Sequence, residues 1–353
     1  MSVQTTEAQA NGTAVLSSKD ECETVSVVIP CYNEERFIAR ALEQLADQFE
    51  PDRYEIIIVD GLSDDKTRSV IDDFKLQHPA PAIVVLDNPA RNIPTALNLG
   101  IAAAKGSIIA RMDAHAVPCD GYIQRCVEML SDDSVGVVGM PCRIQPGANT
   151  LLGRAIAGAV GDPFGIGDAK YRISRGTAAA EAVDTVAFAC FRKSLWRELD
   201  GFNETLLTNE DYDFNYRARL MRKQVILDRS GYCDYFARTS LSELAGQYRR
   251  YGGWKARMIR LHPRSLKLRH TIAPVFVLSL LVLAALGIFK PLVLVILGFE
   301  VGLYVSLALA FGWRIMRRDH AGLLMLLAMP IVYLTIHLNW GSSFLMGLVR
   351  QRR

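Results

Sequence analysis

The sequence predicts an α/β domain, a mainly parallel sheet with helices on both faces, followed by C-terminal transmembrane helices. Three observations carry this expectation. Short Val/Ile-rich runs alternate with amphipathic stretches from Val25 to Met140, the pattern of β-α-β units whose right-handed crossovers give parallel strands. From Thr271 to Trp313 the only charged side chains are Lys290 and Glu300, and Ala321 to Val349 has none; runs of that length suit a bilayer better than a soluble core. Between Gln247 and His270 lie Arg249, Arg250, Lys255, Arg257, Arg260, Arg264, Lys267 and Arg269, with no acidic residue among them.

Taken in order, residues 1–24 are polar, lack a signal-peptide layout and read as a disordered tail. The α/β domain follows over 25–240. Val25 to Pro30 is a buried-strand pattern, with Asn33 as the expected N-cap of a helix from Glu34. Strands are expected at Glu55–Asp60, Ala82–Leu86, Ser107–Ala110 and Val135–Met140, with helices at Asp65–Gln77, Pro94–Ala104 and Tyr122–Leu130. After Pro141 the pattern loosens into a glycine-punctuated stretch that reads as a long binding loop or lid. An extended segment is expected at Val183–Phe191, a helix from the acidic Thr208–Asp213 cluster to Arg222, and a strand at Gln224–Asp228.

Residues 241–270 form a basic juxtamembrane segment, with Leu241–Ile259 as an amphipathic helix on the membrane surface. Residues 271–349 form the membrane region. Lys290-Pro291 divides its first run into two spans, and basic residues on both sides (Arg249–Arg269 and Arg314, Arg317, Arg318) place those ends in the cytoplasm. A third full crossing would put Arg350-Gln351-Arg352-Arg353 outside, against the same rule; a re-entrant course broken near Pro330 or Asn339-Trp340-Gly341 is the alternative. The net charge of +3 names no partner. Seven scattered cysteines, odd in number and without C-x-x-C, suggest neither a disulfide framework nor a zinc site.

In open parallel sheets ligands bind beyond the carboxyl ends of the strands. That rule selects Pro30-Cys31-Tyr32-Asn33-Glu34, Asp60-Gly61-Leu62-Ser63-Asp64-Asp65, and Asp113 with His115. Side chains two apart at a strand end point the same way, so Asp113 and His115 can offer oxygen and imidazole nitrogen to one divalent cation, Mg²⁺ or Mn²⁺. Asp60 can accept hydrogen bonds from a base or ribose; no G-x-G-x-x-G follows the first strand, so the dinucleotide fingerprint is missing.

Together these motifs resemble those of family 2 inverting glycosyltransferases with the GT-A fold, over roughly Val25 to Lys255. Val28 to Glu34 resembles the family's opening strand and nucleotide loop, with Pro30, Tyr32 and Glu34 at the donor. By the resemblance Asp60 recognises the base, with Asp64 beside it. Asp113 and His115 fall on the D-x-D motif, His115 replacing its second aspartate. Glu210-Asp211 matches the family's E-D pair, whose aspartate is the catalytic base. Arg91 and Arg111 are further candidates for the donor's phosphates. Gln247-Tyr248-Arg249-Arg250-Tyr251 resembles Q-x-x-R-W with Tyr251 in place of tryptophan, which places Gln247, Arg250 and Tyr251 near diphosphate or acceptor, with Trp254 available to stack on sugar. The layout is most similar to the succinoglycan-type exopolysaccharide glucosyltransferases. That likeness implies a metal-dependent hexosyltransferase of the inner (plasma) membrane with a cytoplasmic catalytic domain. It also implies a UDP-sugar donor, a polyprenyl-diphosphate-linked saccharide acceptor, and other polysaccharide-assembly proteins as partners.

A polyprenyl-phosphate sugar synthase shares these motifs and is the nearest alternative, separated by its phosphodiester product. A processive synthase fits less well, given the altered Q-x-x-R-W and the few spans. A non-catalytic membrane scaffold is the reading from another class, and Asp113, Glu210 and Asp211 count against it. The basic residues sit beside the membrane rather than along a groove-entering element, which argues against nucleic acid as a partner.

Overall fold

The computed structural model describes residues 23–173 and 180–350, so most of the expected N-terminal tail and part of the stretch after Pro141 lie outside the described residues. The first half carries β1 (Val25–Cys31), α1 (Ile38–Ala46), β2 (Tyr54–Asp60), α2 (Thr67–Gln77), β3 (Ala82–Asp87), α3 (Ile93–Ala103), β4 (Ile108–Arg111), β5 (Ala116–Pro118), α4 (Tyr122–Leu130), β6 (Val135–Gly139) and β7 (Cys142–Gln145). Then come α5 (Leu151–Val160), α6 (Pro163–Ile166), α7 (Lys170–Ile173), β8 (Glu181–Ala182), β9 (Cys190–Arg192), α8 (Lys193–Glu198), α9 (Glu210–Leu220), β10 (Gln224–Leu227) and β11 (Cys233–Phe236). Four long helices end the chain: α10 (Leu241–Leu261), α11 (Arg269–Phe289), α12 (Leu292–Arg318) and α13 (Leu323–Val349).

Eight strands form one sheet in the order β3-β2-β1-β4-β9-β6-β10-β8, and β5-β11-β7 form a second. β1 to β4 are mutually parallel where they pair, whereas β9 inserts antiparallel between β4 and β6. The period-2 alternation of the strands divides the core between two faces. Val27, Ile29, Ile56 and Ile58 pack with α1, α2 and α4 on one face, while Val28, Ile57 and Val59 pack with α3, α8 and α9 on the other. Each such fully buried aliphatic contributes about 1.5–3 kcal/mol. The register sets Cys31 beside Asp60 and Val28 beside Arg111, which brings the loops after β1, β2 and β4 to one edge.

Four expectations change. Asn33 does not cap α1, which starts at Ile38 with Phe37 before it. Asn33 instead takes a left-handed conformation (φ 55°) and exchanges hydrogen bonds with Asp64, its Nδ2 donating at 2.7 Å and its Oδ1 accepting from the Asp64 amide at 3.1 Å. The stretch after Pro141 is not a loop but β7 and three helices; alanine and glycine in α5 hide its periodicity while letting it lie against Ile315 and Met325. Only Cys190–Arg192 of the expected extended segment is strand, and β11 adds a strand where no element is expected from the sequence. α13 runs unbroken through Pro330 and Asn339-Trp340-Gly341, since Pro330 deletes a single backbone hydrogen bond while Met329, Val332 and Tyr333 around it are packed.

α10 is more than a surface helix. One face of it lies along α13, where a Cβ on Gly252 would stand 2.2 Å from the Trp340 carbonyl oxygen. Gly252→Val is therefore expected to force α10 and α13 apart and destabilise the protein by about 1–3 kcal/mol. Thermal unfolding in detergent checks this; an unchanged midpoint would show that the two helices do not rely on that contact.

Candidate active site

The site is assembled from the β4 terminus, the α9 terminus and the face of α10. β4 ends at Arg111, whose guanidinium lies 2.9 Å from Asp113 and 3.5 Å from Glu210. It is 7% exposed and sits over the Phe188 ring. Burial disfavours its charge, but the carboxylates of Asp113, Glu210 and Asp211 outweigh that and hold its pKa above the ordinary value. Arg111 thus ties the β4 loop to the first turn of α9.

α9 opens at Asn209, in a left-handed conformation (φ 70°), and puts Glu210, Asp211 and Asp213 in its first turn, where the helix dipole favours negative charge. The three carboxylates divide their roles. Asp213 is fully buried, accepting from Arg217 at 2.7 Å and lying 2.9 Å from His262 beyond α10, so it is structural. Asp211 lines a cavity that Arg111 also lines. Glu210, 5% exposed, is pushed up to about 8 by burial and by the adjacent Asp211, against the pull of Arg111. Glu210 therefore holds its proton more tightly than an exposed glutamate does.

His115 is oriented by Glu34, whose Oε1 is 3.1 Å from Nδ1. Burial opposes the imidazolium, but Glu34 and Asp113 together raise the pKa above its usual value. A carboxylate on Nδ1 leaves Nε2 as the ligating nitrogen, the arrangement common around metal-bound histidines. Asp113 and His115 line the same cavity, and their oxygen–nitrogen set suits Mn²⁺ or Mg²⁺. Among the described residues no three His, Cys, Asp or Glu side chains close around an ion, so a cation here draws the rest of its shell from a ligand's phosphates and water.

The loops after β1 and β2 adjoin this cavity through the Glu34–His115 contact. Asp60 is fully buried, its carboxylate accepting from the Ser63 amide and hydroxyl and from Arg68 Nε at 2.6 Å. Arg68 also reaches Asp87, a bridge that sequence reasoning missed because it joins the first turn of α2 to the ends of two strands, β2 and β3. Tyr32 is 43% exposed with Arg91 stacked on its ring at 5.3 Å, above the Gly61 turn. Pro30 pairs with Val59 at the same edge.

Of the expected residues, this cavity of about 400 Å³ collects Arg111, Asp113, His115, Glu210, Asp211, Gln247, Arg250 and Tyr251. Pro30, Tyr32, Glu34, Asp60, Asp64 and Arg91 do not line it; of these, Glu34 adjoins it through His115. Gln247 is buried and donates to the Tyr235 and Tyr251 hydroxyls at 2.9 and 3.0 Å, so Tyr251 is part of the wall. Trp254 does not reach this cavity; it lies in a separate groove with Arg249, Arg257 and Arg260, because α10 turns it toward Leu206 and Met258. Sequence reasoning overlooked Lys255. It is 5% exposed, 3.2 Å above the Tyr212 ring and on the cavity wall. Burial, with Arg269 adding like charge, lowers its ammonium to about 7. Its only sequence signal was an i+4 relation to Tyr251 on one face of α10.

A mainly parallel sheet whose strand-end loops carry an aspartate, a D-x-H and an acidic helix start defines a GT-A glycosyltransferase. The sequence matches Glycosyl transferase family 2 over residues 26–244, and the chain belongs to that family. It is 28% identical over 342 residues to succinoglycan biosynthesis protein ExoA of Rhizobium meliloti (strain 1021), spanning 95% of this chain and 99% of that protein. A dolichyl N-acetyl-alpha-D-glucosaminyl phosphate 3-beta-D-2,3-diacetamido-2,3-dideoxy-beta-D-glucuronosyltransferase of Methanococcus voltae is 25% identical over 334 residues, 92% of this chain and 97% of that one. The fold aligns with mannosyltransferase PcManGT from Pyrobaculum calidifontis, solved with GDP-Man and Mn²⁺, at a TM-score of 0.61 and 18% identity, covering 94% and 88% of the two chains.

Because the folded-state pKa of Glu210, about 8, lies above its ordinary 4.5, its stabilising contribution is fully present below 4.5 and is lost as pH rises through 8. Glu210→Gln keeps the neutral shape. Its thermal midpoint is expected to fall less than that of the wild type across this interval; parallel curves would show that Glu210 does not carry a raised pKa.

Proposed function

We propose that this protein is a membrane-anchored inverting glycosyltransferase that moves a hexose, with glucose first among candidates, from a UDP-sugar to a polyprenyl-diphosphate-linked saccharide in exopolysaccharide or cell-surface glycan synthesis. The catalytic domain faces the cytoplasm at the plasma membrane. One observation carries the reading: a single cavity runs from Asp113 and His115, past Asp211, to Ile272, Ala273, Ile336 and Trp340 of the apolar helices. A polar donor entering from the loop side and an acceptor fixed in lipid would meet beside Asp211.

Asp211 takes the proton of the acceptor hydroxyl as its oxygen attacks the anomeric carbon. The bond from that carbon to the diphosphate breaks, and the nucleoside diphosphate leaves with the electron pair. Attack opposite the leaving group inverts the centre. Burial and the adjacent Asp211 raise the proton affinity of Glu210, which disfavours a second negative charge beside the base. Asp113 and His115 would hold a Mn²⁺ or Mg²⁺ ion, which when bound supplies charge for the departing diphosphate. Arg111 positions Asp113 and Glu210, and Arg250 on the cavity wall can contact phosphate bidentately. Tyr32, Asp60, Asp64 and Arg91 form the nucleotide side. Gln247, Tyr251 and Lys255 form the acceptor side. The relation to ExoA and to a dolichyl-phosphate-sugar transferase supports a lipid-linked acceptor.

Nucleotide release from UDP-sugars in membranes, with Mn²⁺ or Mg²⁺ and lipid-linked acceptor, tests the proposal. Asp211→Asn is expected to lower turnover by about 10²–10⁴ with donor binding preserved. Equal turnover in both proteins would remove Asp211 as base, and a phosphodiester product would favour the polyprenyl-phosphate synthase. Lys255→Met is expected to raise the KM for lipid acceptor about tenfold to a hundredfold while leaving donor affinity unchanged. A matching loss of donor affinity would move Lys255 to the nucleotide side.

A further inference from the structure

α11, α12 and α13 are each long and apolar enough to cross a bilayer, yet their surroundings differ. α11 and α12 form an antiparallel hairpin, with Phe276 stacked on Tyr304 and the Ser279 hydroxyl donating to Glu300. Its far end stands clear of the rest of the protein, with Ile288, Phe289, Leu292 and Phe299 exposed. α13 never leaves the catalytic domain. Met325 lies over Gly158 of α5, and the Tyr333 hydroxyl donates to Asp162 at 3.2 Å. His337 bonds the Phe164 carbonyl at 2.9 Å, and from residue 339 onward the helix runs beside α10.

That last contact is continuous and parallel. Arg249 donates to Asn339 at 3.0 Å, Gly252 abuts Trp340 and Phe344, Ala256 abuts Gly347, and Arg260 donates to the Gly347 carbonyl at 2.7 Å. Arg249, Arg250, Arg257 and Arg260 therefore accompany the second half of α13 turn by turn. Were that half to cross the membrane, these arginines would enter hydrocarbon at about 2.5–3.5 kcal/mol each. On its first half, Leu324, Leu327, Ile331 and Leu334 form an exposed apolar stripe at helical spacing, the face of a helix lying in the headgroup region.

We propose that α13 does not cross the bilayer. The α11–α12 hairpin makes both crossings, and α13 lies at the membrane surface on the side of the catalytic domain, its apolar stripe in the lipid interface and the α10 arginines at the headgroups. α11, with 21 residues, is about 31 Å long at 1.5 Å per residue, enough for a hydrocarbon core of about 30 Å. Arg350 then shares a side with Arg249–Arg269 and Arg314–Arg318, which removes the charge conflict of a third crossing. The inference depends on the apolar helices meeting a membrane and not on the reaction, so it stands or falls separately from the proposed function.

Cysteine labelling in sealed vesicles of both orientations tests it, using a membrane-impermeant maleimide and the unsubstituted chain as the blank. Leu76→Cys, on exposed α2, marks the catalytic-domain side; Lys290→Cys marks the hairpin tip; Arg350→Cys reports the end of α13, with exposed Val349→Cys as a second reporter. Labels at residues 76, 349 and 350 are expected from one side and the label at 290 from the other. Labelling at 349 and 350 only from the side opposite residue 76 would overturn the proposal. So would labelling of residue 290 from the side of residue 76, or from neither side.

Discussion

The buried guanidinium of Arg111 is the constraint on which the site depends. It faces Asp113 at the end of a central strand and Glu210 at the start of α9, elements about a hundred residues apart in sequence. A buried cation of this kind costs several kcal/mol to desolvate and is tolerated only where its partners are complete. Those partners are the acidic residues proposed for the metal and for catalysis, so in this reading folding and function share one electrostatic solution. Losing Arg111 would leave Asp113 without its buried counter-charge and Glu210 without its guanidinium partner.

From this pivot the two sides of the cavity differ in physical character. The loop side is polar and held by short-range bonds: Asp60 with Ser63 and Arg68, Asn33 with Asp64, Glu34 with His115. The membrane side is aromatic and cationic, with Lys255 over Tyr212 and Gln247 between two tyrosine hydroxyls. An ammonium in such surroundings is poorly solvated, so an incoming anion would relieve an existing cost. The arrangement fits a hydrophilic donor on one side and an anionic group arriving along the apolar helices on the other.

The membrane region continues the same packing logic. α5, which belongs to the catalytic domain, lies against α12 and α13 through small residues, and Arg314 of α12 donates to buried Asp162 at 2.6 Å. The domain is thus joined to its apolar helices by interdigitated contact, which fixes the cavity mouth relative to the lipid. Anchoring of this kind would raise the effective concentration of the proposed lipid-linked acceptor at the site.

The sequence by itself determined the strands β1 to β4, the helices between them, and the placement of Asp60, Asp113, His115, Glu210 and Asp211 at strand and helix ends. Local periodicity encodes those features. Only the tertiary structure decided that Asn33 serves Asp64 instead of capping a helix, that α5 and β11 exist, that Trp254 turns away from the cavity, and that Lys255 turns into it. Each of these depends on a partner far away in the chain. Small residues in α5 and a basic residue on α10 acquire meaning only once α13 is in place beside them, and no window of sequence contains both.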